Sequence, residues 1–303
     1  MQTSKNYLFN YLANELRPMF KRQYLREDIG AAIAVAFVAI PLSLAVALAT
    51  GVAPQVALIS AVIGGILGAV FGGSRLGITG PAVAMSVLLA GVLQDFGFAG
   101  LLIVGLICGL LQISLGILKL GRIAKYIPLS LVLAFTAGIG FLLFFEQLPY
   151  AFQIAGQTNN TITQTYSNLH LYAHHVSSAG FGLAALTIAI LTIVPRFLPR
   201  AYAFFFAVLI PMTLAHVTNI SVATVGMLPH DIFHPTVIDF NLINDWPKLA
   251  LTGLEVFILA SLETLLSLSA VDLMGKGDLH NPSQELIGQG VANIGVALFG
   301  GIP

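Results

Sequence analysis

The ten residues Gly77-Ile78-Thr79-Gly80-Pro81-Ala82-Val83-Ala84-Met85-Ser86 form a polar, glycine-broken stretch inside otherwise apolar sequence. They limit what the chain can become more than any other feature. Proline suits the first position of a helix because its missing N–H is one that position leaves unused, and Thr79 or Gly80 just before Pro81 is placed to cap. The spacing therefore predicts a helix start at Pro81. Counted on to Gln94, that helix is about 14 residues or ~21 Å, against a hydrocarbon core of ~30 Å, so it cannot cross a membrane alone. A helix that begins near the midplane turns its free N–H groups and the positive end of its dipole toward a cavity, which is how discontinuous helices of secondary transporters hold anionic groups. The leading expectation is an anion transporter whose substrate meets this helix start, beside Thr79. The alternative is that Gly80-Pro81 merely kinks one longer helix beginning near Gly72.

Composition makes the surrounding solvent a bilayer. The chain is 57% hydrophobic and 9% charged, with a mean hydropathy of +0.91, whereas soluble domains carry about a quarter charged residues. Apolar runs fall at 28–50, 54–73, 81–94, 98–118, 127–147, 179–195, 201–217, 247–271 and 286–302. This predicts an all-α, multi-pass membrane protein with nine segments, the third a half-helix. A cytoplasmic N-terminus places Arg75, Lys119, Arg122, Lys125, Arg196, Arg200 and Lys276 inside with the five leading basic residues, and leaves Lys248 at an outer segment edge, where it can snorkel. The outward loops carry Asp95, Asp231, Asp239 and Asp245 instead. The formal net charge of zero argues against nucleic acid as a partner.

Residues 1–26 read as a cytoplasmic amphipathic lead-in, with Tyr7, Leu8, Tyr11, Leu12 and Leu16 at helical spacing, and 27–303 as the membrane domain. The single cysteine, Cys108, lies in an apolar run and reads as core. His230 and His234 are flanked by Pro229 and Pro235, which disfavours the helix a metal pair would need, and His174-His175 is no better. No metal site is expected. The glycines at 64, 65, 68, 105, 109, 138 and 140 suit close helix packing.

Carboxylates inside a membrane segment are functional candidates by default. Glu255 and Glu263 are eight apart in segment 247–271, roughly 80° around a helix, so both can line one broad face. Glu263 is followed by Thr264 and Ser267, whose hydroxyls could complete a site for a hard cation such as Na⁺; the other role open to Glu263 is that of a proton carrier. In the first segment Pro41 either opens or only bends the helix, and Ser43 offers a hydroxyl to a substrate. No nucleophile or zinc ligand set accompanies the acids, so an enzyme is not expected.

The runs IPLSLAVALATG (40–51), GITGPAVAMSVLLAG (77–91), GRIAKYIPLSLVLAFTAGIG (121–140), SLETLLSLSAVDLMG (261–275) and HNPSQELIGQGVANIGVALFGGIP (280–303) resemble the SulP anion transporters. That resemblance implies a seven-plus-seven inverted repeat with core and gate domains, moving sulfate first, or bicarbonate or chloride, with Na⁺ or H⁺ by an elevator-like motion. It implies a homodimer in a bacterial inner (cell) membrane. It puts the anion between the N-termini of the third and tenth helices, matching Gly80, Pro81, Ala82 and Val83, and the coupling cation at Glu263 and Ser267. Leu42 stands where many relatives have Gln. The sequence stops at Gly300-Gly301-Ile302-Pro303, where the family turns into its tenth helix. By the resemblance it holds the first repeat and two further helices, without helices ten to fourteen or the STAS domain, and half a site is expected to bind an anion poorly. A nucleobase permease of the same fold and a non-transporting truncated fragment are the alternatives.

Overall fold

The computed structural model describes residues 22–74, 76–126, 128–152, 177–222, 235–274 and 280–303. The predicted lead-in helix at 7–16, the four histidines at 174, 175, 230 and 234, and Arg75 lie outside the described residues.

Eight helices follow one another among the described residues. They are α1 (Arg22–Thr50), α2 (Pro54–Phe71), α3 (Val83–Ile117), α4 (Leu129–Ala151), α5 (Ser178–Ile193), α6 (Arg200–Val217), α7 (Trp246–Met274) and α8 (Pro282–Leu298). Among the described residues, five spans are long and apolar enough to cross a membrane: Asp28–Thr50, Pro54–Phe71, Val83–Ile117, Ser178–Arg196 and Trp246–Asp272. The nine predicted segments are all present, because α3 is two helices in continuous chain. Gly97, at φ 66° and ψ −168°, breaks it between the third and fourth segments, a conformation that glycine reaches without a Cβ penalty.

Local chemistry sets the boundaries. Pro54 occupies the first turn of α2 behind Ala53, and Pro282 does the same for α8 behind Asn281, whose Oδ1 accepts the Gln284 N–H at 3.2 Å. The ninth segment thus begins at Pro282, four residues before the predicted 286, because the polar run Asn281–Glu285 is a cap and first turn and not a loop. Asp245 closes α7 by accepting the Lys248 N–H at 3.0 Å. α1 runs through Pro41 without opening. Lys248 does not simply snorkel: its Nζ pairs with Asp95 Oδ2 at 2.8 Å and stands 5.5 Å from the Phe96 ring.

The chain divides into two units. One is Met1–Pro41 with Ser177–Ala223, where α5 packs on α6 and Phe37 meets Phe205 edge to face at 4.6 Å. The other is Leu42–Val176 with Thr224–Pro303, holding the end of α1 and α2, α3, α4, α7 and α8. In this second unit α8 packs along α3 and α2, and α7 along α3. The α3–α8 crossing is backbone to backbone: a Cβ on Gly109 would lie 2.6 Å from Gly290 O, and one on Gly290 2.5 Å from Gly109 O. The packing reading therefore holds at Gly109, whereas Gly138 and Gly140 face open space. The core joins Val46 and Ala47 of α1, Val56 and Ala57 of α2, Val83, Met85, Leu89 and Cys108, and Leu249 and Val256 of α7 with Ile302. Cys108 is fully buried, as a core residue should be.

Candidate functional site

Between Phe71, the last residue of α2, and Val83 the described residues, 72–74 and 76–82, are not helical. A strap thus lies inside apolar sequence, and the alternative of one kinked helix from Gly72 does not hold. Backbone away from water must have its hydrogen bonds made for it, at several kcal/mol for each group left over. Here α8 makes them. Glu285 Oε2 accepts the Gly73 N–H at 2.8 Å, Gly73 O accepts the Asn281 N–H at 2.8 Å, and Gln284 Nε2 donates to Phe71 O at 2.7 Å. Gln289 Nε2 donates to Thr79 Oγ1 and to Glu285 Oε1, each at 2.8 Å. Within the strap, Ser74 Oγ accepts the Gly77 N–H at 3.1 Å.

The helix start is displaced from the predicted Pro81. Ala82 is the N-cap at φ −88° and ψ 127°, the residues Val83–Met85 make one 3-10 turn, and α-helix follows from Ser86, whose Oγ donates to Val83 O at 2.7 Å. Neither Thr79 nor Gly80 caps: the Thr79 hydroxyl is held by Gln289, and no side chain closes the start. From Val83 to the Gly97 break is about 14 residues, ~21 Å, so the half-helix length stands although its register moves by two. Gly80 is exposed and a Cβ there would meet nothing within 4 Å, Pro81 and Val83 are buried, and Thr79 and Ala82 are half-buried. Ser43 is buried, one turn before Val46 and Ala47, which share the core cluster with Val83 and Ile302.

The acids of α7 do not share one environment. Glu255 is exposed, whereas Glu263 is partly buried and its Oε2 is shut from the surface with no hydrogen-bond partner. Thr264 is half-buried and Ser267 exposed. Ser261, one turn from Leu265, is buried with its hydroxyl likewise unpartnered. α7 meets the strap through Leu268, whose Cδ2 stands 3.0 Å from where a Gly77 Cβ would be. Among the described residues no cluster of three His, Cys, Asp or Glu could hold a metal.

Sequence reasoning missed the carboxylate that the fold uses here, Glu285, and its partner Gln289. Hydropathy cut them off or passed over them, yet Asn281, Pro282 and Gln284 carry the signature of a capped helix start, which would have put both on one face of α8. It also missed Ser60, in a π-helical turn of α2 (Ser60–Gly64), whose Oγ donates to Val56 O at 3.1 Å and accepts the Ile302 N–H at 2.7 Å.

The interrupted helix and its uncapped N-terminus belong to an all-helical fold with several spans of membrane length. The family comparison agrees: the sulfate permease family model matches residues 25–303, and the chain belongs to that family. It is 33% identical over 249 residues to "Putative sulfate transporter YvdB" of Bacillus subtilis (strain 168), covering 77% of this chain and 44% of that one. It is 28% identical over 258 residues to "Bicarbonate transporter BicA" of Picosynechococcus sp., covering 76% of this chain and 43% of that one. The chain thus spans less than half the length of these relatives. Its fold is that of the transmembrane domain of a cyanobacterium bicarbonate transporter BicA, with a TM-score of 0.79 at 24% identity over 93% of this chain and 74% of that one. Murine Slc26a9, an anion transporter in the inward-facing state, gives a TM-score of 0.79 at 16% identity, covering 100% of this chain and 55% of that one.

Proposed function

We propose that the chain supplies residues of the anion site of a secondary active transporter for an inorganic anion, sulfate first, with bicarbonate and chloride as the other cargoes. The observation that carries this reading is the uncapped start of α3 behind the non-helical strap. The first N–H groups of a helix have no partner of their own, and the dipole places about half a positive charge there. An oxyanion satisfies both at once. On this reading the anion sits against Thr79, Gly80, Pro81, Ala82 and Val83, with the Ser43 hydroxyl beside them, and a bound sulfate does what a capping side chain does elsewhere. The names of the relatives, sulfate and bicarbonate transporters, support the cargo class.

The same reading gives Glu263 the coupling role. Its buried, unpartnered Oε2 is a place for Na⁺ or a proton, with Thr264 and Ser267 as neighbours on α7. Loading there balances the charge of the anion, and the core carries both across by an elevator-like displacement in a homodimer. Uptake of labelled sulfate into vesicles holding the full-length transporter tests both parts. Wild type is expected to accumulate sulfate under an Na⁺ or H⁺ gradient, and Glu263→Gln to lose that dependence. Accumulation that stays gradient-driven in Glu263→Gln removes the coupling role; no uptake or binding of any of the three anions removes the function.

A further inference from the structure

Two non-helical turns of the second unit are each held from across the fold. The strap 72–82 follows α2, but the side chains that hold it, Glu285 and Gln289, belong to α8. The turn 299–303 follows α8, but the Ile302 N–H is held by Ser60 of α2. Glu285 is 4% exposed and Ser60 2%, so neither is a surface residue whose bond water could replace. We propose that Glu285, Gln289 and Ser60 are positioning residues for the anion site, acting by a reciprocal hold of each helix on the turn that leaves the other.

The argument is one of leverage and tolerance, and it rests on the anion reading given above. Thr79, where Gln289 holds the strap, is four residues before Val83, the first residue of the uncapped turn. Oxyanion donors act at about 2.7–3.1 Å and weaken steeply beyond it, so a strap displaced by a few tenths of an ångström degrades the site without unfolding α3. The carboxylate suits this task because it accepts twice. Oε2 takes the backbone N–H of Gly73 while Oε1 fixes the Gln289 amide, so its orientation toward Thr79 is set. Ser60 acts through Ile302, which lies in one core cluster with Val83, so none of the three residues needs to touch the anion.

Sulfate binding and uptake by the full-length transporter, normalised to folded protein, separate positioning from mere structure. Gln289→Leu keeps the bulk of the side chain and removes both bonds; it is expected to raise Kd and KM for sulfate about tenfold, the scale of one hydrogen bond, with the maximal rate per folded molecule nearly unchanged. Glu285→Gln keeps an acceptor for Gly73 and lets the Gln289 amide turn over, so it is expected to stay within about twofold of wild type. Gln289→Glu, which sets two carboxylates side by side, is expected to be the weakest binder. Should Gln289→Leu not fold, Ser60→Ala carries the test, with the same direction of change. Sulfate affinity equal to wild type in Gln289→Leu, or in Ser60→Ala, overturns the inference alone. A wild-type protein that binds none of the three anions overturns the anion reading, and this inference with it.

Discussion

Ala82 stands at the start of α3 with no oxygen to close it, whereas Ser177, Asp239 and Asn281 each accept an N–H at the starts they cap. The difference gives a test at a single side chain. Ala82→Asp supplies the missing acceptor, which at an ordinary helix start stabilises by about 1 kcal/mol. Heat unfolding is expected to move up or stay, while sulfate uptake falls at least about tenfold, because a tethered carboxylate occupies the place of the cargo. Unchanged uptake in that variant contradicts the site. Residues of this kind were legible to different degrees. Thr79 to Val83 stood out because polar and glycine residues interrupt an apolar run. Ser60 did not, since a serine in a helix ordinarily bonds its own backbone, as Ser114 and Ser269 do. Only the arrival of Ile302 from a distant part of the chain separates it from them.

At the scale of elements, hydropathy located the helices and capping chemistry fixed their ends. The start of α8 moved to Pro282 because a polar cap reads as a loop to a hydropathy window, and the start of α3 moved to Val83 because its expected cap is engaged by α8. Glycine content was legible but its meaning was not: the same residue serves a crossing in one helix and nothing in another. That contrast is measurable. Gly290→Ala puts a methyl 2.5 Å from Gly109 O, and Gly109→Ala one 2.6 Å from Gly290 O; each is expected to destabilise by about 1–3 kcal/mol, seen as a lower unfolding temperature in detergent. Gly138→Ala meets nothing within 4 Å in the interior of α4 and is expected to leave that temperature unchanged or raise it. Equal behaviour of Gly290→Ala and Gly138→Ala contradicts the backbone-to-backbone crossing.

For the molecule as a whole, the membrane class and the order of segments followed from composition and basic-residue bias, while the grouping of helices into two units did not, because it depends on contacts between residues far apart in sequence. The orientation with an inside N-terminus has a direct check. Replacing the buried Cys108 with Ala and placing single cysteines at Lys119, Arg196, Asp95 or Asp239, intact cells are expected to react with an impermeant maleimide at the two aspartate positions and not at the other two; the reverse pattern inverts the topology. The claim under all of this is that an oxyanion completes the first turn of α3. The most direct measurement is the amide nitrogen and proton shifts of Val83 and Ala84 in selectively labelled full-length protein in nanodiscs, titrated with sulfate. Saturable downfield movement of those two amides is predicted, with Gly138 unmoved as a control. Amides that stay still while sulfate is bound or transported would contradict the account.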